Sequence, residues 1–435
     1  MAVLADETIP SLRTATMVWL RIGVLSFGGP AGQIAMMHKM VVEERRWIDE
    51  KRFLHALNYC MLLPGPEAQQ LATYLGWLLH GIKGGMIAGV LFILPGLVAI
   101  TALSSAYALY LDTAWLAAIF FGLKAAVLAI VVQALLRIAS RMLRADAAFV
   151  IAGLAFVSVY ALQVPFPLII IAAAFAGGLF LKGDRGAEDS PVPQRSRGWL
   201  ATMAPLFFIL AWLAPLAAMI VFAAPETMPA VFAFFARVAL VAFGGAYAVL
   251  AYVAQQAVTH FHWLTPAQMM DGLALAETTP GPLVLVLCFV GFFALYNHPL
   301  LAAPVLSGVL GALLTAWAIF MPSFVFIFAG APFVETLRRK KSLAAALAGI
   351  GASIVGVMAN LALWFAVHVL FTEVRAIALP WSRGVAFSLP VWSSLDPLAF
   401  GLSLAAMIAV MRFKLSLMPL LFAAAVAGLA LLPFL

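Results

Sequence analysis

The sequence predicts an all-α, polytopic integral membrane protein built from two inverted-topology repeats with broken, re-entrant helices. Composition is the first observation behind that expectation. Of 435 residues, 65% are hydrophobic and only 10% are charged, and the mean hydropathy is +1.08. A water-soluble surface needs far more polar area, so lipid is the solvent for most of the chain. The second observation is a repeat: a shift of 216 residues brings the halves into agreement without a gap from Arg21 to Pro66. The third is that matching loops of the two halves carry opposite amounts of Lys and Arg.

Apolar runs of membrane length include Gly84–Leu111, Trp199–Ala223, Leu343–Leu370 and Leu415–Leu435. The first apolar stretch behaves differently. As one helix, Ser11–Val42 would extend about 48 Å against a hydrocarbon core of about 30 Å, and it contains Phe27-Gly28-Gly29-Pro30. Two short helices joined at the glycines fit better. Pro30 then lies in the first turn of the second, where its missing N–H has no partner to lose. Asp49 reads as the N-cap of a helix running to about Leu63; Pro64-Gly65-Pro66 breaks that helix, and another runs from Glu67 to about Leu79. In the second half, Thr265-Pro266-Ala267-Gln268 is a capping box with proline at the first helical position. Each such helix pair reads as a re-entrant hairpin. Full crossings are expected to start near residues 84, 115, 146, 165, 199, 300, 343, 385 and 415. That gives four to each half, with Trp199–Ala223 as the odd helix that inverts the second, the N-terminus inside and the C-terminus outside.

Within the repeat, Arg21 falls on Arg237, Phe27-Gly28-Gly29 on Phe243-Gly244-Gly245, Trp47 on Trp263, and Pro64-Gly65-Pro66 on Pro280-Gly281-Pro282. After an 11-residue insertion the match continues: Pro95 on Pro322, Gly122 on Gly349, Gln133 on Asn360. His38–Arg52 holds Lys39, Arg45, Arg46, Lys51 and Arg52, whereas its counterpart "HFHWLTP" has no Lys or Arg. Tyr107–Trp115 also lacks them, and its counterpart contains Arg338, Arg339, Lys340 and Lys341. Arg137, Arg141 and Arg144 match a stretch around His368 that is nearly free of basic residues. By the positive-inside rule, each inner loop of one half matches an outer loop of the other, so the repeats are inverted. The chain divides into an N-terminal repeat (1–181), a polar cytoplasmic linker (182–198), a linking helix (199–223) and a C-terminal repeat (224–435).

The net charge of +7 reflects these loops and not a nucleic-acid surface. Cys60 and Cys288 lie in apolar helices with no His at ligand spacing, so neither a disulfide nor a metal site is implied, and no cofactor is expected. No basic n-region marks a cleavable signal peptide in "MAVLADETIP". Backbone at a hairpin tip must be buried in protein or line a wet cavity. Helices that begin near Pro30, Pro66, Gly245 and Pro282 would offer free N–H groups and partial positive charge at depth, which suits an anion. Arg21 and Arg237 either pair with that anion or close a counter-charge network, or else snorkel to an interface or cap a carbonyl. Gln33, Gln69, Gln70, Thr278 and Thr279 border the breaks; they either donate to ligand oxygens or satisfy hairpin backbone. Lys124, Asp271 and Glu277 are ionisable groups in apolar helices and stand as coupling candidates, with protons as the coupling ion; Lys124 equally reads as one half of a structural ion pair. Glu67 fits a capping acid at a helix N-terminus. No nucleophile–base or metal cluster points to an enzyme, and no Walker sequence to an ATPase.

"FGGPAGQIA", the basic stretch with "WIDEKRF", and "LLPGPEAQQLATYLGW" resemble the chromate ion transporter family in its long, two-domain form; "FGGAYAVL" and "TTPGP" resemble its weaker C-terminal copy. The resemblance implies a bacterial inner-membrane secondary transporter that exports chromate, driven by membrane potential or protons, and confers resistance. It implies a substrate site at Arg21, Phe27, Gly28, Gly29, Pro30, Gln33, Pro64, Gly65, Pro66 and Glu67. The repeat extends that site to Arg237, Gly244, Gly245, Thr278, Thr279 and Gly281. The second half departs from the pattern, with Ala246 for the proline, Val249 for the glutamine and Leu283 for the acid, so the halves are unequal. A sulfate-type uptake or exchange carrier is the alternative, since sulfate has the same shape and charge. A homodimer is among the assemblies the sequence allows.

Overall fold

The computed structural model describes residues 10–27, 29–110, 113–181, 199–243, 246–330, 341–378 and 386–434. Nearly all of them are helical. Five helices are long and apolar enough to cross a membrane, within Glu67–Tyr110, Ala114–Met142, Met203–Val221, Pro304–Gly330 and Ser342–Leu370. The protein is a polytopic all-α membrane protein.

The breaks fall where Gly, Pro and capping residues place them. Helix α1 (Leu12–Leu25) opens on Ser11, whose side chain accepts from the Thr14 N–H, and it ends before Ser26. Helix α2 (Gly29–His38) follows with Pro30 in its first turn. Asp49 caps α3 (Glu50–Cys60) by accepting from the Arg52 N–H; this helix stops three residues short of the expected Leu63. Helix α4 (Glu67–Tyr110) is continuous except at His80 and Gly81, where the backbone leaves helical geometry, one residue past the expected end at Leu79. The second half repeats the design. Helix α9 (Thr227–Val241) precedes the second break, and α10 (Ala246–Gln255) follows it. Helix α11 (Pro266–Thr278) starts at a reciprocal capping box: Thr265 Oγ1 accepts from the Gln268 N–H, and Gln268 Oε1 accepts from the Thr265 N–H. Both copies also carry a π-helical turn after the second half-helix, at Lys39–Glu44 and Gln256–His260. A positive φ follows at the equivalent residues Arg46 (53°) and His262 (51°). In place of the His80-Gly81 kink, the second half has a loop between α12 (Val286–Tyr296) and α13 (Pro304–Gly330), which accommodates the insertion. The polar linker 182–198, Gly28, Gly244, Gly245, and Arg338 to Lys340 lie outside the described residues.

Four expected crossings differ. Helices α6 (Asp146–Tyr160), α7 (Phe166–Phe180), α15 (Pro397–Met411) and α16 (Leu417–Ala430) have 15, 15, 15 and 14 residues. At 1.5 Å per residue they rise only about 21–23 Å, less than the hydrocarbon thickness. The crossing expected near 385 begins instead at Pro397, after an antiparallel pair of strands, β1 (Val374–Ala378) and β2 (Ala386–Pro390). Hydropathy summed over a run cannot see the Pro and polar punctuation that splits it.

The chain forms two compact units, and each draws on both sequence halves. The first lies within Met1–Ser105, Gly186–Ala246 and Thr279–Arg339. There α8 (Trp199–Val221) is fastened to α13 by two indole bonds: Trp212 Nε1 donates to Ala318 O at 3.0 Å and Trp317 Nε1 to Ala211 O at 3.1 Å. The second lies within Ala106–Arg185, Tyr247–Thr278 and Lys340–Leu435. In it the hairpin α6–α7 packs on α14 (Lys341–Leu370), while the hairpin α15–α16 packs on α5 (Ala114–Met142). Each short hairpin thus packs on the long helix of the opposite half. The aligned glycines Gly122 and Gly349 make this possible: a Cβ on Gly122 would collide with Ala424 O, and one on Gly349 with Ala173 O. Small residues that let backbones approach are what helix packing in lipid requires.

Candidate functional site

The first unit holds both Pro-Gly-Pro tips. Gly65 N–H donates to Ala242 O at 2.7 Å, and Gly281 N–H donates to Ser26 O at 2.8 Å. Under the 216-residue shift Gly65 is Gly281 and Ser26 is Ala242. Each tip is therefore held by the residue just before the Phe-Gly-Gly break of the opposite half, and the two contacts are exchanged copies of one another. Both tip glycines need φ values that L side chains rarely adopt, +116° for Gly65 and +90° for Gly281. A Cβ on Gly65 would lie 2.8 Å from Gln70 Nε2 and 3.4 Å from Ser323 Oγ; one on Gly281 would lie 2.9 Å from Leu285 Cδ1 and 3.5 Å from Gly96 Cα. Gly96 and Ser323 follow the aligned prolines Pro95 and Pro322, so each tip also rests on the long helix of the other half.

Around the tips the polar groups are buried and incompletely bonded. Gln33 Nε2 donates to Gly281 O at 2.5 Å, and Gln70 Nε2 donates to Pro64 O at 2.6 Å. The bracing role, which the sequence left open beside a donor role to ligand, is the one these two amides fill. Gln69 Nε2 lies 3.3 Å from Thr73 Oγ1 within its own helix. Ser26 Oγ, Ser323 Oγ and the Oε1 atoms of Gln33, Gln69 and Gln70 are buried without a hydrogen-bond partner among the described residues. Orphaned buried polar atoms are rare in folded proteins and mark places where water, an ion or a ligand is accommodated. Beside them, Glu67 opens α4 and is half-buried, Pro30 lies in the first turn of α2, Gly29 has φ of +71°, and Thr279 is buried. Thr278 Oγ1 donates to Leu275 O at 2.8 Å.

The two arginines are not drawn into this cluster. Arg21 is exposed on α1, with no ion pair or hydrogen bond from its side chain among the described residues. Arg237 is exposed at the same place on α9, and its Nε donates to Ala233 O of its own helix at 3.0 Å. Phe27 is also exposed.

The second unit gathers the three coupling candidates with two tyrosines. Asp271 is buried; Lys124 Nζ lies 3.2 Å from its Oδ1, and Tyr107 OH donates to its Oδ2 at 2.7 Å. Glu277, also buried, accepts from Tyr247 OH at 2.7 Å. Sequence reasoning passed over Ser26, Ser323, Tyr107 and Tyr247. The available signals were a serine directly before Phe-Gly-Gly, a serine after an aligned proline, and tyrosines in otherwise apolar helices. No cluster of metal-ligating side chains occurs among the described residues.

A family model described as chromate transporter matches residues 14–178 and 229–429, which leaves out chiefly the linker and α8. The chain belongs to the chromate transporter family. It is 33% identical to a chromate transport protein of Pseudomonas aeruginosa over 78% of this chain and 77% of that one. Against a chromate transport protein of Cupriavidus metallidurans the identity is 28%, over 80% of each chain. A probable chromate transport protein of Synechococcus elongatus is 28% identical over 80% of this chain and 83% of its own. No solved structure matches. The matched segments enclose both breaks and both tips, so the exchanged backbone contacts lie within the part of this chain that the family model covers.

Proposed function

We propose that this protein exports chromate across the bacterial inner membrane as a secondary transporter, with two inverted repeats forming the oxyanion site around the exchanged Pro-Gly-Pro tips. The reciprocal pair Gly65 N–H to Ala242 O and Gly281 N–H to Ser26 O carries this reading. Exchange of equivalent contacts is what a local two-fold relation between the halves produces. Two-fold repeats are either parallel or inverted in the membrane, and the opposite Lys and Arg content of matching loops favours inversion. Helices that start at the tips, with the unpartnered hydroxyls of Ser26 and Ser323, supply donors for a tetrahedral oxyanion without a cofactor. Moving two negative charges out of a cell with a negative interior is downhill by about 2.3 kcal/mol per charge per 100 mV. Potential alone therefore suffices to drive export, and the carboxylates Asp271 and Glu277 are where proton coupling would enter.

The deciding experiment is chromate and sulfate flux in oriented vesicles under imposed voltage and pH gradients. Chromate leaving the cytoplasmic side, accelerated by an inside-negative potential, is the expected result. Flux indifferent to potential would indicate a facilitative path, and preference for sulfate uptake would reverse the assigned direction. Topology is tested separately: a cysteine at His260, which is exposed after α10, should react with an impermeant thiol reagent from outside intact cells. Labelling only after lysis would overturn the inversion.

A further inference from the structure

The described ion pairs other than Lys124–Asp271 all lie on the loop-rich stretch His38–Arg52. Lys124–Asp271 stands apart, inside apolar helices of the second unit. Its carboxylate has Nζ of Lys124 at 3.2 Å from Oδ1, an ion pair that leaves this buried oxygen without a hydrogen bond among the described residues, and it accepts from the hydroxyl of Tyr107 at 2.7 Å on Oδ2. The Phe120 and Tyr107 rings meet in a T-shaped pair at a centroid distance of 5.0 Å. The two partners are unequally covered: the Asp271 side chain is 5% exposed and that of Lys124 is 22% exposed. A cation beside one oxygen and a hydroxyl donating to the other is also a set of groups that suits an inorganic oxyanion.

We propose that Lys124 and Tyr107 form an oxyanion-binding centre that the Asp271 carboxylate occupies when deprotonated and yields when protonated. The inference rests on the reading of the protein as an oxyanion transporter and adds a binding site and a coupling rule to it. The charge argument is direct. A lysine in an apolar helix needs a counter-anion, and removing one member of a buried pair without replacement is costly. An incoming oxyanion replaces that member, but it cannot share one ammonium with a second full negative charge at this distance. Asp271 must therefore take a proton as the anion arrives. The proton comes from solvent and is carried on a carboxylate oxygen; the Nζ contact is given up, and no covalent bond in the anion changes.

Of the helices packed against α11, α5 carries Lys124 and, further along, Arg137 and Arg141; α16 has no titratable side chain, and the described histidine of α14, His368, bonds through Nδ1 to its own Trp364 O. On α11 itself, Glu277 accepts from Tyr247 OH. One proton then travels with each anion, so a dianion moves one net charge instead of two.

The test uses the full-length protein in proteoliposomes, with chromate as probe above neutral pH, where it remains a dianion. Affinity should fall about tenfold per pH unit while Asp271 is deprotonated in the empty protein, and one charge should cross per chromate. Asp271→Asn should flatten the pH dependence and restore two charges per anion, and Lys124→Met should weaken binding more than tenfold. Should Asp271→Asn fail to fold, the wild-type slope and charge ratio still decide, together with Tyr107→Phe, which should weaken binding while keeping the slope. A flat wild-type pH profile with two charges per anion overturns this inference and leaves oxyanion transport standing. Absence of any chromate binding or flux in the wild type overturns the transport reading instead.

Discussion

Valine in place of Gly65 or Gly281 is expected to abolish transport and to lower thermal stability in detergent. The backbone at these residues has φ of +116° and +90°, and a β-branched residue there costs about 1–3 kcal/mol in conformational strain. The added side chain also meets Gln70 Nε2 in one case and Leu285 Cδ1 in the other, each within 3 Å of Cβ alone, which adds about 1–3 kcal/mol of crowding. The strain falls on the N–H that bonds the opposite half, so the two substitutions should have similar effects despite their sequence separation. Gly153, where a Cβ would meet nothing within 4 Å, provides the control: Gly153→Ala should leave both transport and melting temperature unchanged or slightly raised. Tip variants with normal transport would show that the exchanged contacts are dispensable.

Arg21→Ala should eliminate chromate resistance without destabilising the protein. Arg21 is exposed and, among described residues, its side chain has no polar partner, so its removal breaks no hydrogen bond or ion pair there. An exposed arginine in an apolar helix adds nothing to packing, and at the centre of a membrane helix it costs about 2.5–3.5 kcal/mol on insertion scales. Its presence at the same place as Arg237 in the other copy is therefore better accounted for by work with the anion than by stability. The measurement is growth on chromate alongside membrane abundance and melting temperature. Normal resistance in Arg21→Ala would reduce the arginine to an interfacial anchor.

Much of the local design is legible because it acts within one turn. Asp49, Thr265 and Gln268 cap the helices that their positions suggest, and Gly29-Pro30, Pro64-Gly65-Pro66 and Gly81 interrupt helices at or beside the expected residues. The glutamines were harder. A buried amide near a break serves backbone or ligand equally well on paper, and only the positions of Gly281 O and Pro64 O show that Gln33 and Gln70 brace the tips. The four short helices have the apolar composition of the expected crossings but only 14 or 15 residues, because Pro and polar residues cut the runs, which hydropathy does not register.

By itself the sequence determined a membrane protein, a two-copy chain, the position of each break and the identity of the family. These depend on composition, on glycine and proline stereochemistry and on caps, all of which operate locally. Tertiary structure alone decided that the tips are exchanged between halves, that each short hairpin packs on the other half's long helix, and that Lys124 meets Asp271. A repeat states which residues are equivalent but not whether each copy packs on itself or on its partner. That choice rests on backbone N–H and C=O groups common to every residue and on close approach at a few glycines, and neither leaves a mark that one strand of text can display.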